Sequence, residues 1–124
     1  MVAFYTPADL TYVVRDGNIP QLVRDYWGIT KDEKLGDWQR EWSPITYARP
    51  GMSPVLLIHG TADSKVPFEN SVRLEKAWKE AGVACELIPI KDGDHGMGSW
   101  ETVDPTYKEK MIAWLKKTLR VRKL

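Results

Sequence analysis

The residues Pro54-Val55-Leu56-Leu57-Ile58 form an apolar run with no alternation. A strand with one wet face alternates apolar and polar residues. An unbroken run predicts a strand buried on both faces, the situation of a central strand in a parallel sheet. Parallel neighbours need a crossover, and the next residues supply one. A helix is predicted from Pro67, with Ser71, Leu74, Trp78 and Ala81 near one face and Gly82 as its stop. Cys85-Glu86-Leu87-Ile88-Pro89-Ile90 then reads as a second strand, followed by a Gly- and Asp-rich loop from Lys91 to Ser99. Asp104-Pro105 opens a last helix whose predicted inner face is Tyr107, Met111, Trp114, Leu115 and Leu119. Near the start, Val2-Ala3-Phe4-Tyr5 is a third strand-type run, stopped by Thr6-Pro7. The order strand, insertion, strand, helix, strand, helix predicts an α/β fold: about three parallel strands with flanking helices.

Residues 11–52 read as a lid-like helical insertion within one domain. Pro20 opens a predicted helix carrying Leu22, Val23, Tyr26 and Trp27, with Gly28 as its stop. Thr30-Lys31-Asp32-Glu33 fits a capping box, and a second short helix follows to about Trp42. Ser43-Pro44 and Arg49-Pro50-Gly51 are breakers. A domain rarely begins on an apolar strand without a polar lead-in, so the chain is expected to start inside a larger fold.

Charge and composition narrow the function classes. The net charge of +1 gives no field toward nucleic acid or acidic membranes. The basic residues Lys116, Lys117, Arg120, Arg122 and Lys123 crowd a helix C-terminus, where the dipole favours them. No apolar stretch has the length of a membrane span, and residues 1–5 do not resemble a signal peptide. Cys85 is the sole cysteine, so an internal disulfide is impossible; it reads as a small buried hydrophobe.

Ligands of open parallel sheets bind beyond the carboxyl ends of the strands. Asp63 follows the second strand and His95 the third, so both are predicted at that edge. A carboxylate there can fix the tautomer of an imidazole and stabilise its protonated form. Histidine suits proton transfer because it titrates near neutrality. Asp92 and Asp94 read as turn formers and His59 as shaping a strand end. His59, Asp63, Asp94 and His95 match no metal-ligand spacing, and no cofactor is implied.

Pro54-Val-Leu-Leu-Ile-His-Gly-Thr-Ala-Asp63-Ser-Lys-Val-Pro67 resembles the acid-bearing segment of the α/β-hydrolase superfamily, in its esterase/lipase and prolyl-oligopeptidase-like branches. Asp94-His95-Gly96-Met97 resembles the histidine loop of the same families. Phe4-Tyr5-Thr6-Pro7-Ala8-Asp9-Leu10 is similar to the strand after the nucleophile helix, and Trp42-Ser43-Pro44-Ile45 to the segment leading into the acid strand. The chain order Ser, Asp, His of such enzymes fits Asp63 followed by His95. The resemblance implies cleavage of an ester or related acyl bond, with His95 as general base and Asp63 orienting it. Trp27, Trp38 and Trp42 are candidate substrate-binding residues.

The nucleophile elbow Gly-x-Ser-x-Gly does not occur in this sequence. Gly96-Met97-Gly98-Ser99-Trp100 has the wrong spacing and follows the histidine. The glycine-rich oxyanion segment is also absent. The isolated chain is therefore expected to lack serine-type catalysis. An acyl-ester substrate is expected only after complementation by an N-terminal hydrolase half, docking along the Val2–Tyr5 edge. Self-association through that edge is the other expectation. Alternatives are a fragment of a prolyl-oligopeptidase-like serine peptidase and a non-catalytic binding or scaffold module.

Overall fold

Three parallel strands lie in the order β1-β2-β3, with β1 spanning Val2–Phe4, β2 Val55–Gly60 and β3 Cys85–Ile90. The computed structural model describes residues 1–13, 24, 25, 28 and 35–119. Val2 pairs with Leu56 and Val55 with Cys85, so β2 has a neighbour on each side. Among the described residues, the sheet is accompanied by the helices α1 (Leu10–Val13), α2 (Leu35–Glu41), α3 (Glu69–Glu80), α4 (Met97–Val103) and α5 (Tyr107–Leu119). A 3-10 turn, Pro44–Tyr47, leads toward β2.

The two faces of β2 explain its unbroken apolar run. Successive side chains of a strand point to opposite faces. Val55 and Leu57 join Leu74 and Trp78 of α3, with Ala8, Val83 and Cys85. Leu56 and Ile58 point the other way, to Ile90, Trp100 of α4, and Tyr107 and Trp114 of α5. The four β2 side chains are 0–1% exposed. Full burial of each stabilises the fold by about 1.5–3 kcal/mol before the entropy of ordering is subtracted.

Three local expectations change. The strand predicted to end at Ile58 runs on, and His59 and Gly60 are the last residues of β2. The loop predicted for residues 91–99 ends early, because α4 begins at Met97. That helix is seated by one side chain, the fully buried Trp100, and so leaves little periodicity in the sequence. Leu119, assigned to the inner face of the last helix, is 66% exposed. The inner stripe of α5 rests on Tyr107 and Trp114, and Leu119 stands at its far end. The predicted helix around Trp27 and the Thr30–Glu33 capping box lie outside the described residues.

The segment after β1 is held by buried polar groups. Asn70 of α3 is fully buried; its Oδ1 accepts from the Asp9 amide at 3.0 Å, and its Nδ2 donates to the Pro67 carbonyl at 3.2 Å. Arg73 pairs with the Asp9 carboxylate at 2.8 Å. Ser43 Oγ accepts from the Leu10 amide at 2.8 Å, while Gln39 Nε2 donates to the Leu10 carbonyl at 3.2 Å. These bonds fasten α1 and α2 to the sheet through its helix. Asn70→Ala strands the Asp9 amide in the interior, so a loss of about 1–3 kcal/mol is expected in urea unfolding. An unchanged midpoint would show that the anchor is dispensable.

Candidate active site

The turn after β2 is folded by Asp63 itself. Its Oδ1 accepts from the amides of Lys65 and Val66, both at 2.8 Å. Short aspartate side chains compete for nearby backbone donors in this way, which is why one suits a tight turn. The loop after β3 is shaped by Asp92, in the left-handed region at φ +58°, and by Asp94. Asp94 Oδ1 accepts from the His95 amide at 2.7 Å and from the Ser64 amide at 2.8 Å, so it links the two loops.

Gly60 and Gly93 let the loops approach each other. The Ala62 amide donates to the Gly93 carbonyl at 3.0 Å, and the Thr61 amide to the Ile90 carbonyl at 2.9 Å. A Cβ on Gly60 would lie 2.1 Å from the Gly93 oxygen, a distance no side chain tolerates. The two expected site residues meet as a result. His95 Nδ1 donates to Asp63 Oδ2 at 2.9 Å, with Oδ1 at 3.2 Å. The Asp63 side chain is wholly enclosed, while that of His95 is 34% exposed.

The electrostatics suit an ionised acid. Burial pushes the Asp63 carboxyl upward. The amides of Val66 and Lys65 and the His95 ring pull it down by more, leaving it below the ordinary carboxylate value. Asp63 therefore enters neutral pH as an acceptor only, and the nitrogen facing it must carry a proton. The neutral His95 ring then keeps its lone pair on Nε2, away from the acid.

Three residues at this site were not marked as functional by sequence. Tyr5, just past β1, lies with its ring centroid 4.4 Å from that of His95 and 5.8 Å from that of Trp100. Its φ of +37° is unusual for an aromatic residue and costs on the order of 1–2 kcal/mol. Position at a strand's carboxyl end was the available signal. His59 is fully buried, with Nε2 3.2 Å from Asp63 Oδ2. Ser71, buried in the first turn of α3, lies 2.7 Å from His59 Nδ1.

Of the three candidate tryptophans, Trp38 and Trp42 are among the described residues. Trp27 lies outside the described residues. Trp38 is half-buried in α2, its Nε1 enclosed without a partner among the described residues. Trp42 is 47% exposed and lines a surface cavity of about 330 Å³ with Glu41, Pro44 and Tyr47. That cavity includes neither Asp63 nor His95. Cys85 is buried, and burial pushes its thiol up to about 11, which leaves little thiolate at neutral pH.

The chain is similar to several known proteins. The family model described as the prolyl oligopeptidase family matches residues 2–122. Dipeptidyl peptidase 4 of Sus scrofa is 50% identical over 75 residues, 60% of this chain and 10% of that protein. The uncharacterized peptidase YuxL of Bacillus subtilis is 31% identical over 96 residues, 77% of this chain and 13% of that protein. Among solved structures, a truncated form of a carbohydrate esterase from gut microbiota is 26% identical with a TM-score of 0.77. It covers 94% of this chain and 41% of its own. The chain thus spans about a tenth of the curated relatives and under half of the esterase. With a parallel sheet, flanking helices and a match over nearly its full length, this chain is a partial α/β-hydrolase fold that belongs to the prolyl oligopeptidase family.

Proposed function

We propose that this chain supplies the acid and the base of a serine hydrolase that cleaves carboxylic esters, its nucleophile coming from a segment outside this sequence. The observation that carries the reading is the 2.9 Å bond from His95 Nδ1 to the enclosed, ionised Asp63. His95 Nε2 takes the proton of the serine hydroxyl as its oxygen attacks the acyl carbon. The protonated ring then delivers that proton to the departing alkoxide, leaving an acyl-enzyme. Water repeats the sequence, giving its proton to Nε2 and its hydroxyl to the acyl group, and the serine is restored. Asp63 holds the ring in the tautomer that makes each transfer possible.

Peptide-bond cleavage is the second reading, favoured by the names of the curated relatives, both of which are peptidases. An amide has a poorer leaving group than an ester, so the same acid–base pair serves both and the site around the serine selects between them.

Among the described residues β1 pairs with β2 alone, so its other edge is open. That edge is where the nucleophile-bearing segment docks, and in its absence a second copy of the chain is the competing occupant. The test is a chimera joining the nucleophile-bearing portion of the gut-microbiota carbohydrate esterase to residues 1–124. Hydrolysis of p-nitrophenyl acetate by the chimera, and none by the chain alone, is expected. Faster release from a proline p-nitroanilide would favour the peptidase reading. A folded chimera inert toward both, or equal turnover by the isolated chain, would remove the proposal.

A further inference from the structure

We propose that His59 is a positioning residue for Asp63, its tautomer set by the Val66 carbonyl and matched by Ser71, so that Asp63 Oδ2 stays aimed at His95. This inference rests on Asp63 and His95 being the working pair. Its warrant is the set of bonds around one buried ring. His59 Nε2 lies 2.9 Å from the Val66 carbonyl oxygen, which can only accept. Nε2 must therefore carry the proton, which it shares between that carbonyl and Asp63 Oδ2 at 3.2 Å. Nδ1 is left with its lone pair, and the Ser71 hydroxyl donates to it at 2.7 Å.

Burial is the main reason that His59 titrates below its ordinary value, and it outweighs the opposing pull of the Val66 carbonyl and Asp63. The ring is accordingly neutral at neutral pH. That neutrality matters. A cation at 3.2 Å would draw on the same carboxylate charge that must stabilise a proton on His95.

The carboxylate is thereby held at both oxygens. Oδ1 takes the amides of Lys65 and Val66, and Oδ2 takes His95 and His59. Any partial rotation of the group breaks bonds on both sides. Without His59, Oδ2 has only the partly exposed His95 ring to hold it. A side chain that merely fills the core would leave the His95 proton where it is. A positioning residue would not.

The experiment reads that proton. In the isotopically labelled full chain, well above neutral pH, ring nitrogen shifts give the ratio of the Nδ1–H to the Nε2–H form of His95. The parent is expected to hold mostly Nδ1–H. His59→Phe keeps the ring's volume and removes the donor, and the ratio is expected to fall roughly fivefold, the size of one lost hydrogen bond. His59→Gln still offers an N–H and is expected to recover most of it. An unchanged ratio in folded His59→Phe would overturn the proposal. If His59→Phe does not fold, the coupling is read from the other side. Asp63→Asn must move the His59 Nε2–H resonance, and an unmoved resonance overturns it equally. A parent that already holds Nε2–H on His95 would instead overturn the pair reading on which this inference stands.

Discussion

Asp63→Asn is expected to lower kcat of the complemented hydrolase by about 10⁴-fold while the chain stays folded. Asparagine keeps an oxygen at the Oδ1 position, so the amides of Lys65 and Val66, each at 2.8 Å, retain their acceptor. The turn therefore survives. The change falls on Oδ2, where an NH₂ group now faces two N–H donors, His95 at 2.9 Å and His59 at 3.2 Å. His59 can rely on the Val66 carbonyl at 2.9 Å. His95 keeps only the longer 3.2 Å contact to Oδ1, an oxygen already taken by two amides, so it relieves the clash by moving its proton to Nε2. The lone pair then points at the asparagine and not at the serine, and the base is lost. Steady-state kinetics with p-nitrophenyl acetate, alongside thermal unfolding, checks this. A fall of less than about tenfold in a folded variant would mean that Asp63 does not set the tautomer.

Gly60→Ala is expected to cost about 3 kcal/mol of stability and to lower activity by about 10²-fold in whatever remains folded. The added Cβ would stand 2.1 Å from the Gly93 oxygen and 2.6 Å from its carbonyl carbon. Both are backbone atoms, so no rotamer change offers relief. The loops must separate, and the bonds from Thr61 and Ala62 to the β3 end stretch with them. Asp63 is three residues beyond Gly60 and His95 two beyond Gly93, so the separation is passed directly to the pair. Gly93→Ala is the control. Its Cβ meets the Ile90 and Trp100 side chains at 2.9 Å, which can shift in part, and a smaller loss is expected. If the two variants have equal unfolding midpoints, the backbone contact is not the constraint.

Much of the fold was legible because its signals are local. The run at residues 54–58 and the stripe Ser71, Leu74, Trp78 each report burial through spacing alone, and β2 and α3 follow. Asp63 and His95 were legible because a parallel sheet puts successive strand ends on one edge. What escaped the sequence depends on partners far along the chain. Asn70 looks like a surface residue of an amphipathic helix, yet its acceptor serves Asp9, 61 residues away. His59 looks like the end of a strand, and its contacts with Asp63 and with Ser71 of α3 appear only in the folded chain. α4 exists because Trp100 fills a pit lined by Phe4, Tyr5 and Tyr107, rings contributed by β1, the turn after it and α5. Leu119 went astray for the opposite reason: helical spacing continued past the point where there was sheet left to cover.

The pairing of β1 with β2 has a kinetic consequence. β2, α3 and β3 are contiguous, and their closure spans one short circuit. β1 reaches β2 only after the whole insertion between Phe4 and Val55 has been gathered in. Loop-closure entropy grows with the length enclosed, and contacts of high sequence separation form slowly. β2-α3-β3 is therefore the expected nucleus, with β1 joining last. Tyr5, in its left-handed turn, arrives with that final strand, so the ring that rests on His95 is in place only when folding is complete. Assembly order itself then acts as a checkpoint: the acid and histidine loops belong to the early unit, and the cover over them to the late one.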